Sequence, residues 1–137
     1  MVRTIDHIGI AVHSIDTARH FYEQVLGLTC ERIEELPEHQ VRTAFFRLGE
    51  LHLELLEPLG EDGPIARFLA QRGEGVHHIA YASDDLAGQM AQARQQGCRL
   101  LHEAPVPGAG GKRIAFLHPK SSHGVLTELC EPGPGDQ

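Results

Sequence analysis

A short apolar motif built around a histidine occurs twice in this 137-residue chain, once in each half. Ile5-Asp6-His7-Ile8-Gly9-Ile10-Ala11 opens the first half, and Gly75-Val76-His77-His78-Ile79-Ala80-Tyr81 opens the second. The halves also close alike, with Glu54-Leu55-Leu56-Glu57-Pro58 and Glu128-Leu129-Cys130-Glu131-Pro132. A repeat of this length restricts the fold to two copies of one supersecondary unit, each too small to bury its sheet face by itself.

The pattern within each copy predicts β-α-β-β-β. Residues 4–12 alternate with period two, so Ile8, Ile10 and Val12 share one face while His7, Gly9 and Ala11 share the other. A histidine whose face carries only Gly and Ala has open space above it. Ser14 or Asp16 caps a helix over Thr17–Leu26 with Ala18, Phe21, Tyr22 and Val25 as its apolar stripe, and Gly27 ends it. Strands follow at Leu28–Glu35, Val41–Leu48 and Leu51–Leu56, broken by the polar turn Pro37–Gln40 and the Gly49-Glu50 turn. The second copy reads as a strand Val76–Ser83, a helix capped by Asp84 or Asp85 and stopped by Gly97, and strands Cys98–His102, Lys112–His118 and Gly124–Cys130. The expected architecture is one α+β domain. It holds a module over 4–58, a linker over 59–74 with a short helix, and a module over 75–132. The two βαβββ modules form a curved, mostly antiparallel sheet around a metal-containing cavity, and residues 131–137 are expected to fray.

The chemistry concentrates on four residues. On the closing strands, period two puts Glu54 and Glu128 among leucines. An ionised carboxylate there costs several kcal/mol unless a cation or hydrogen bonds compensate. A lone His or Glu on such a strand is more often structural, but duplication of both at equivalent positions points to a divalent ion. Two imidazoles and two carboxylates, from His7, Glu54, His78 and Glu128, suit Zn²⁺, Mn²⁺, Co²⁺, Ni²⁺ or Fe²⁺. Of the adjacent pair His77-His78, His78 aligns with His7. His52, two residues before Glu54 on the same face, is a supporting candidate, and His118 and His123 are weaker ones. Gly108-Ala-Gly-Gly-Lys-Arg113 lacks the spacing of a phosphate loop and reads as a glycine-rich loop ending in two cations.

Composition narrows the partners. A formal net charge of −7 argues against nucleic acid. No apolar run approaches the length of a membrane span, and the first residues lack the layout of a signal peptide. Three cysteines without a C-x-x-C pair argue against a disulfide framework. A cytoplasmic protein is expected.

From about Ile5 to Pro132 the chain resembles the methylmalonyl-CoA epimerase family of the vicinal oxygen chelate superfamily. The segments that carry the likeness are Asp6-His-Ile-Gly-Ile-Ala11, Glu54-Leu-Leu-Glu-Pro58, Asp62-Gly-Pro-Ile-Ala66, Gly73-Glu-Gly-Val-His-His-Ile-Ala80, His118-Pro-Lys-Ser121 and Gly124-Val-Leu-Thr-Glu-Leu129. The resemblance implies a homodimer with a divalent metal on His7, Glu54, His78 and Glu128, cobalt foremost and Mn²⁺, Zn²⁺, Ni²⁺ or Mg²⁺ as substitutes. It implies inversion at C2 of methylmalonyl-CoA through a metal-stabilised enolate. Glu128 is then one catalytic base, and Lys120-Ser121 resembles a substrate-contacting turn; for the CoA part, Lys112, Arg113 and Lys120 are the basic residues near the expected mouth. Relatives carry a second base, Glu, on the strand after the Pro-Glu-x-x-Val turn, where this chain has Thr43. Glu38 or His39 on that turn are the replacements the sequence offers, or Glu128 acts with water. Another enzyme of the superfamily, such as a lyase or dioxygenase, and a non-catalytic binding member are the alternative readings.

Overall fold

The computed structural model describes residues 1–132, and these fall into two compact units, His7–His77 and Met1–Asp6 with residues 78–132. The strand β1 (Val2–Ala11) contributes to both, since the division passes between Asp6 and His7.

In the unit His7–His77, β2 (Cys30–Leu36), β3 (Val41–Leu48), β4 (Leu51–Pro58) and the end of β1 lie in the order β2-β3-β4-β1. The β2/β3 and β3/β4 pairs are antiparallel, while β1 and β4 run parallel. One sheet face is covered by α1 (Ile15–His20), whose Ile15 packs with Val12, Ala44, Phe46 and Leu55. The other face carries Ala11, Val41 and Leu56, closed at that end by Ile65 and Leu69 of α2 (Pro64–Arg72). The short helix expected in the linker therefore belongs to this unit's core.

The second unit repeats the plan with β5 (Gly75–Ser83), α3 (Leu86–Gln95), β6 (Val106–Pro107), β7 (Arg113–Leu117) and β8 (Thr127–Glu131) in the order β5-β8-β7-β6. Again the first and last strands are parallel and the rest antiparallel. The α+β class and the two mostly antiparallel βαβββ modules are as expected.

Both helices start as the sequence indicates. The Ser14 hydroxyl accepts from the Thr17 N–H at 3.2 Å, and the Asp85 carboxylate accepts from the Gly88 N–H at 3.1 Å. A second device, duplicated in the chain, ties each helix to its sheet. Glu57 at the end of β4 accepts from the Ile15 N–H at 2.7 Å, and Glu131 at the end of β8 accepts from the Leu86 N–H at 2.9 Å. Each also pairs with the arginine directly across the ladder, Arg42 for Glu57 and Arg113 for Glu131. A carboxylate at a helix N-terminus meets orphan N–H groups and the positive end of the dipole.

Three expectations are corrected. The helix does not continue as α-helix to Leu26: Phe21–Val25 form a π-helical turn. The wider turn breaks the 3.6-residue stripe, so Tyr22 packs on Phe46 at 5.7 Å while Phe21 and Val25 are 49% and 63% exposed. Cys98–His102 is not a ladder strand, making only one bridge, Leu100 to Leu117. The outer edge of β7 is divided between that bridge and β6, which comes from the proline-bearing loop, as suits a proline confined to an edge. Of the segment expected to fray, Glu131 is the last residue of β8, and residues 133–137 lie outside the described residues.

Two measurements follow. Glu57→Ala or Glu131→Ala removes a helix cap together with its arginine partner, and each is expected to cost about 1–2 kcal/mol. The readout is a lower denaturant midpoint at unchanged slope; an unchanged midpoint would mean that water serves the helix ends equally well. His77, packed edge-on against Phe68 at 5.0 Å, has its pKa lowered from 6.5 to about 4 by burial and then by Arg72. A depressed histidine favours the folded state in its neutral form. Its contribution is complete above pH 6.5 and is lost as the pH falls to about 4. His77→Leu should flatten that decline by on the order of 1–2 kcal/mol, and an unaltered pH-stability curve would count against it.

Candidate active site

Each unit presents one buried histidine–glutamate pair on the sheet face opposite its α1 or α3 helix. In the unit His7–His77, His7 Nδ1 lies 3.3 Å from a Glu54 carboxylate oxygen, and both residues are 5% exposed. In the other unit, His78 Nε2 lies 3.3 Å from a Glu128 carboxylate oxygen, with exposures of 6% and 4%.

The ladders explain why the pairs form. The residue opposite Glu54 on the parallel strand β1 is Gly9, two positions after His7. The residue opposite Glu128 on β5 is Ala80, two positions after His78. A small residue there leaves the carboxylate room to swing back towards the imidazole. On the antiparallel side the neighbour is a phenylalanine in both units, Phe45 across from Glu54 and Phe116 across from Glu128. Phe116 meets the His78 ring edge-on at 5.6 Å, and Arg32 lies 3.8 Å over Phe45. Each carboxylate is thus walled by one aromatic ring and one small residue and is buried.

The donor set fits a divalent ion. A nitrogen–oxygen separation of 3.3 Å is longer than a good hydrogen bond of about 2.9 Å. It matches two donors held about 2.1 Å from one ion at angles between a right angle and tetrahedral, which places them about 3.0–3.4 Å apart. Imidazole with carboxylate suits a borderline ion better than a soft one.

His77 turns instead to Phe68. His52 bonds Glu31 at 2.8 Å, and this contact, with Arg47 beyond it, holds the Glu31 carboxyl below its usual range. His118 caps a 3₁₀ turn by accepting from the Lys120 N–H at 3.0 Å, and His123 ends that turn in the left-handed region. Glu38 is exposed and His39 half-buried on the turn Pro37–His39. Thr43 lies on β3 between Val41 and Phe45, 1% exposed, across from Leu56. Lys120 is exposed, and the Ser121 hydroxyl accepts from the Arg99 N–H at 2.8 Å. Lys112 and Arg113 are held by carboxylates: Lys112 by Asp6 at 2.6 Å, and Arg113 by Glu131. The loop before them is closed by Gly108 N–H to Lys112 O at 2.9 Å, and a Cβ on Gly108 would stand 2.7 Å from Ile114.

Sequence reasoning used Gly9 as open space on the His7 face but passed over Ala80, Phe45 and Phe116, and the pairing of Asp6 with Lys112. The signal for Ala80 was present, as a small residue two positions after the histidine. Asp6 and Lys112 are 106 residues apart and have no sequence signal.

Residues 6–116 match the glyoxalase/bleomycin resistance protein/dioxygenase superfamily. The chain is 49% identical to the uncharacterized protein YqjC of Bacillus subtilis, over 97% of this chain and 94% of that one. It is 40% identical to the mitochondrial methylmalonyl-CoA epimerase of Homo sapiens, over 91% of this chain and 72% of that one. A solved methylmalonyl-CoA epimerase in complex with methylmalonyl-CoA and NH4+ superposes with a TM-score of 0.94 at 40% identity, covering 100% and 99% of the two chains. With the duplicated pair on the duplicated module, the chain belongs to the methylmalonyl-CoA epimerase family of the glyoxalase/bleomycin resistance protein/dioxygenase superfamily.

Proposed function

We propose that the protein interconverts (2R)- and (2S)-methylmalonyl-CoA, with His7, Glu54, His78 and Glu128 as ligands of one divalent ion, cobalt foremost. The enzyme class follows from the family, to which the human and the solved epimerases named above belong. The observation that carries the metal reading is the repeated pair. Two buried His–Glu contacts of the same length, each with the same small and aromatic neighbours, are what a shared ion would require of a duplicated scaffold.

When bound, the ion supplies positive charge for the substrate's carbonyl and carboxylate oxygens as C2 loses its proton. The chain's own residues do the rest. Glu128, walled by Phe116 and Ala80, takes the C2 proton from one face. Phe45 and Phe116 exclude water from around the carboxylates, which strengthens every electrostatic contact there. The second proton must come from another group, because Thr43 is a poor acid or base at neutral pH. Glu38 and His39 stand on the nearby turn as the groups the sequence offers. Lys120 is proposed to contact the CoA phosphates. Arg113, engaged by Glu131, is proposed to act there only if that pair opens. The four-ligand set favours this reading over a dioxygenase, which needs an open position for oxygen. A homodimer in the cytoplasm completes the proposal. Three free cysteines suit a reducing compartment, and among the described residues no helix is long and apolar enough to cross a membrane.

The test is methylmalonyl-CoA in D₂O. The C2 proton is expected to exchange, chelation to abolish the exchange, and cobalt to restore it. A metal-loaded protein that exchanges nothing would sink the reaction while leaving the fold intact. Lys120→Ala is expected to raise KM by about two- to fivefold with kcat little changed, since one exposed charge pair is worth about 0.5–1 kcal/mol. An unchanged KM would remove Lys120 from the CoA contact.

A further inference from the structure

We propose that Arg32 binds the free carboxylate of the acyl group and so sets the preference for a malonyl-type acyl-CoA, an inference that rests on the epimerase reading above. The register of the unit His7–His77 places the side chain. Phe45 lies directly across from Glu54, so both stand on the sheet face that carries the His7–Glu54 pair. On the next strand Arg32 is opposite Phe45 and Glu34 is opposite Thr43, which brings both onto that face. The β2/β3 ladder is irregular between Cys30 and Arg32, and the extra residue is Glu31. A bulge re-aims side chains; this one delivers Glu31 to the same face, where it bonds His52 at 2.8 Å.

Most of the charges gathered there are engaged. Glu54 has His7 and Glu31 has His52, with Arg47 Nε 3.4 Å from the second Glu31 oxygen. Arg47 also donates to the Gly49 carbonyl. On the helix face of the same strands, Arg42 is taken by Glu57. Arg32 differs. Its guanidinium carbon stands 3.8 Å over the centre of the Phe45 ring, and its carboxylate neighbour, Glu34, is 3.7 Å from Nε, too far for a hydrogen bond. Among the described residues neither Nη atom of Arg32 makes a hydrogen bond, and the side chain is 47% exposed. The outer edge of the fork is therefore open to solvent, on a cation held in place by the ring beneath it.

The position selects the occupant. One aromatic ring separates Arg32 from Glu54. With Glu54 at the reacting end of the substrate, a cation one ring away meets what is attached to C2. The CoA phosphates lie a whole pantetheine arm from the thioester. A malonyl-type acyl group carries a carboxylate on C2, and a planar guanidinium donates to it through two parallel N–H···O bonds. Lysine would supply the charge without the fork, and would pack less well on the ring.

The experiment measures the affinity of the cobalt-loaded, full-length protein for malonyl-CoA and for propionyl-CoA, in which a methyl group replaces the carboxylate. The wild type is expected to bind malonyl-CoA more tightly. Arg32→Gln is expected to weaken malonyl-CoA by about 10-fold or more, the worth of a charged hydrogen-bonded contact. Propionyl-CoA affinity, cobalt affinity and the denaturant midpoint should stay as in the wild type. Arg32→Lys should recover only part of the loss. Equal weakening of both ligands would make Arg32 a contact for the CoA part or merely a cover for Phe45, and overturns the proposal, as does an unchanged affinity for malonyl-CoA. A wild type that exchanges no C2 proton in D₂O overturns the epimerase reading instead, so the two failures are distinguishable.

Discussion

Two carboxylates buried among leucines are the constraint to which the remaining structure responds. Glu54 and Glu128 are 5% and 4% exposed on strands whose other positions are mainly apolar. Left alone, each would cost several kcal/mol or take up a proton. The fold meets this with local devices repeated in each unit: an imidazole at 3.3 Å, a small residue that gives the carboxylate room, and an aromatic wall. The same strands carry a second carboxylate three residues later, on the other face. There Glu57 and Glu131 meet a helix N-terminus and an arginine. One strand thus carries a buried histidine–glutamate pair on one face and helix docking on the other, because period two turns residues an odd number apart to opposite sides.

How much was legible follows from which interactions are local or repeated. The strands Val41–Leu48 and Gly75–Ser83, the caps Ser14 and Asp85, and the stop at Gly27 follow from alternation and turn chemistry within a few residues. The choice of His78 over His77 needed only alignment of the two copies. The π-helical turn at Phe21–Val25 was not legible, since nothing in an i, i+3, i+4 stripe signals one extra residue in a turn. Nor was the division of the β7 edge between Leu100 and β6, which depends on competition between two segments for the same hydrogen bonds. The contact between Asp6 and Lys112 lies beyond any pattern argument, because it joins residues near the two ends of the chain.

Duplication explains the paired histidines and glutamates but not an inversion reaction. A scaffold with two equivalent halves offers equivalent groups, whereas inversion at one carbon needs an acid and a base that differ. The two halves depart from symmetry at particular positions. Aligning the ladders on Arg42–Glu57 and Arg113–Glu131 puts Lys112 where the other unit has Val41, Ile114 where it has Thr43, and Phe116 where it has Phe45. Aligning the opening motifs puts Asp6 where the other copy has His77. The aromatic wall is kept in both units, but the charged pair is present in one and replaced by core packing of Val41 in the other.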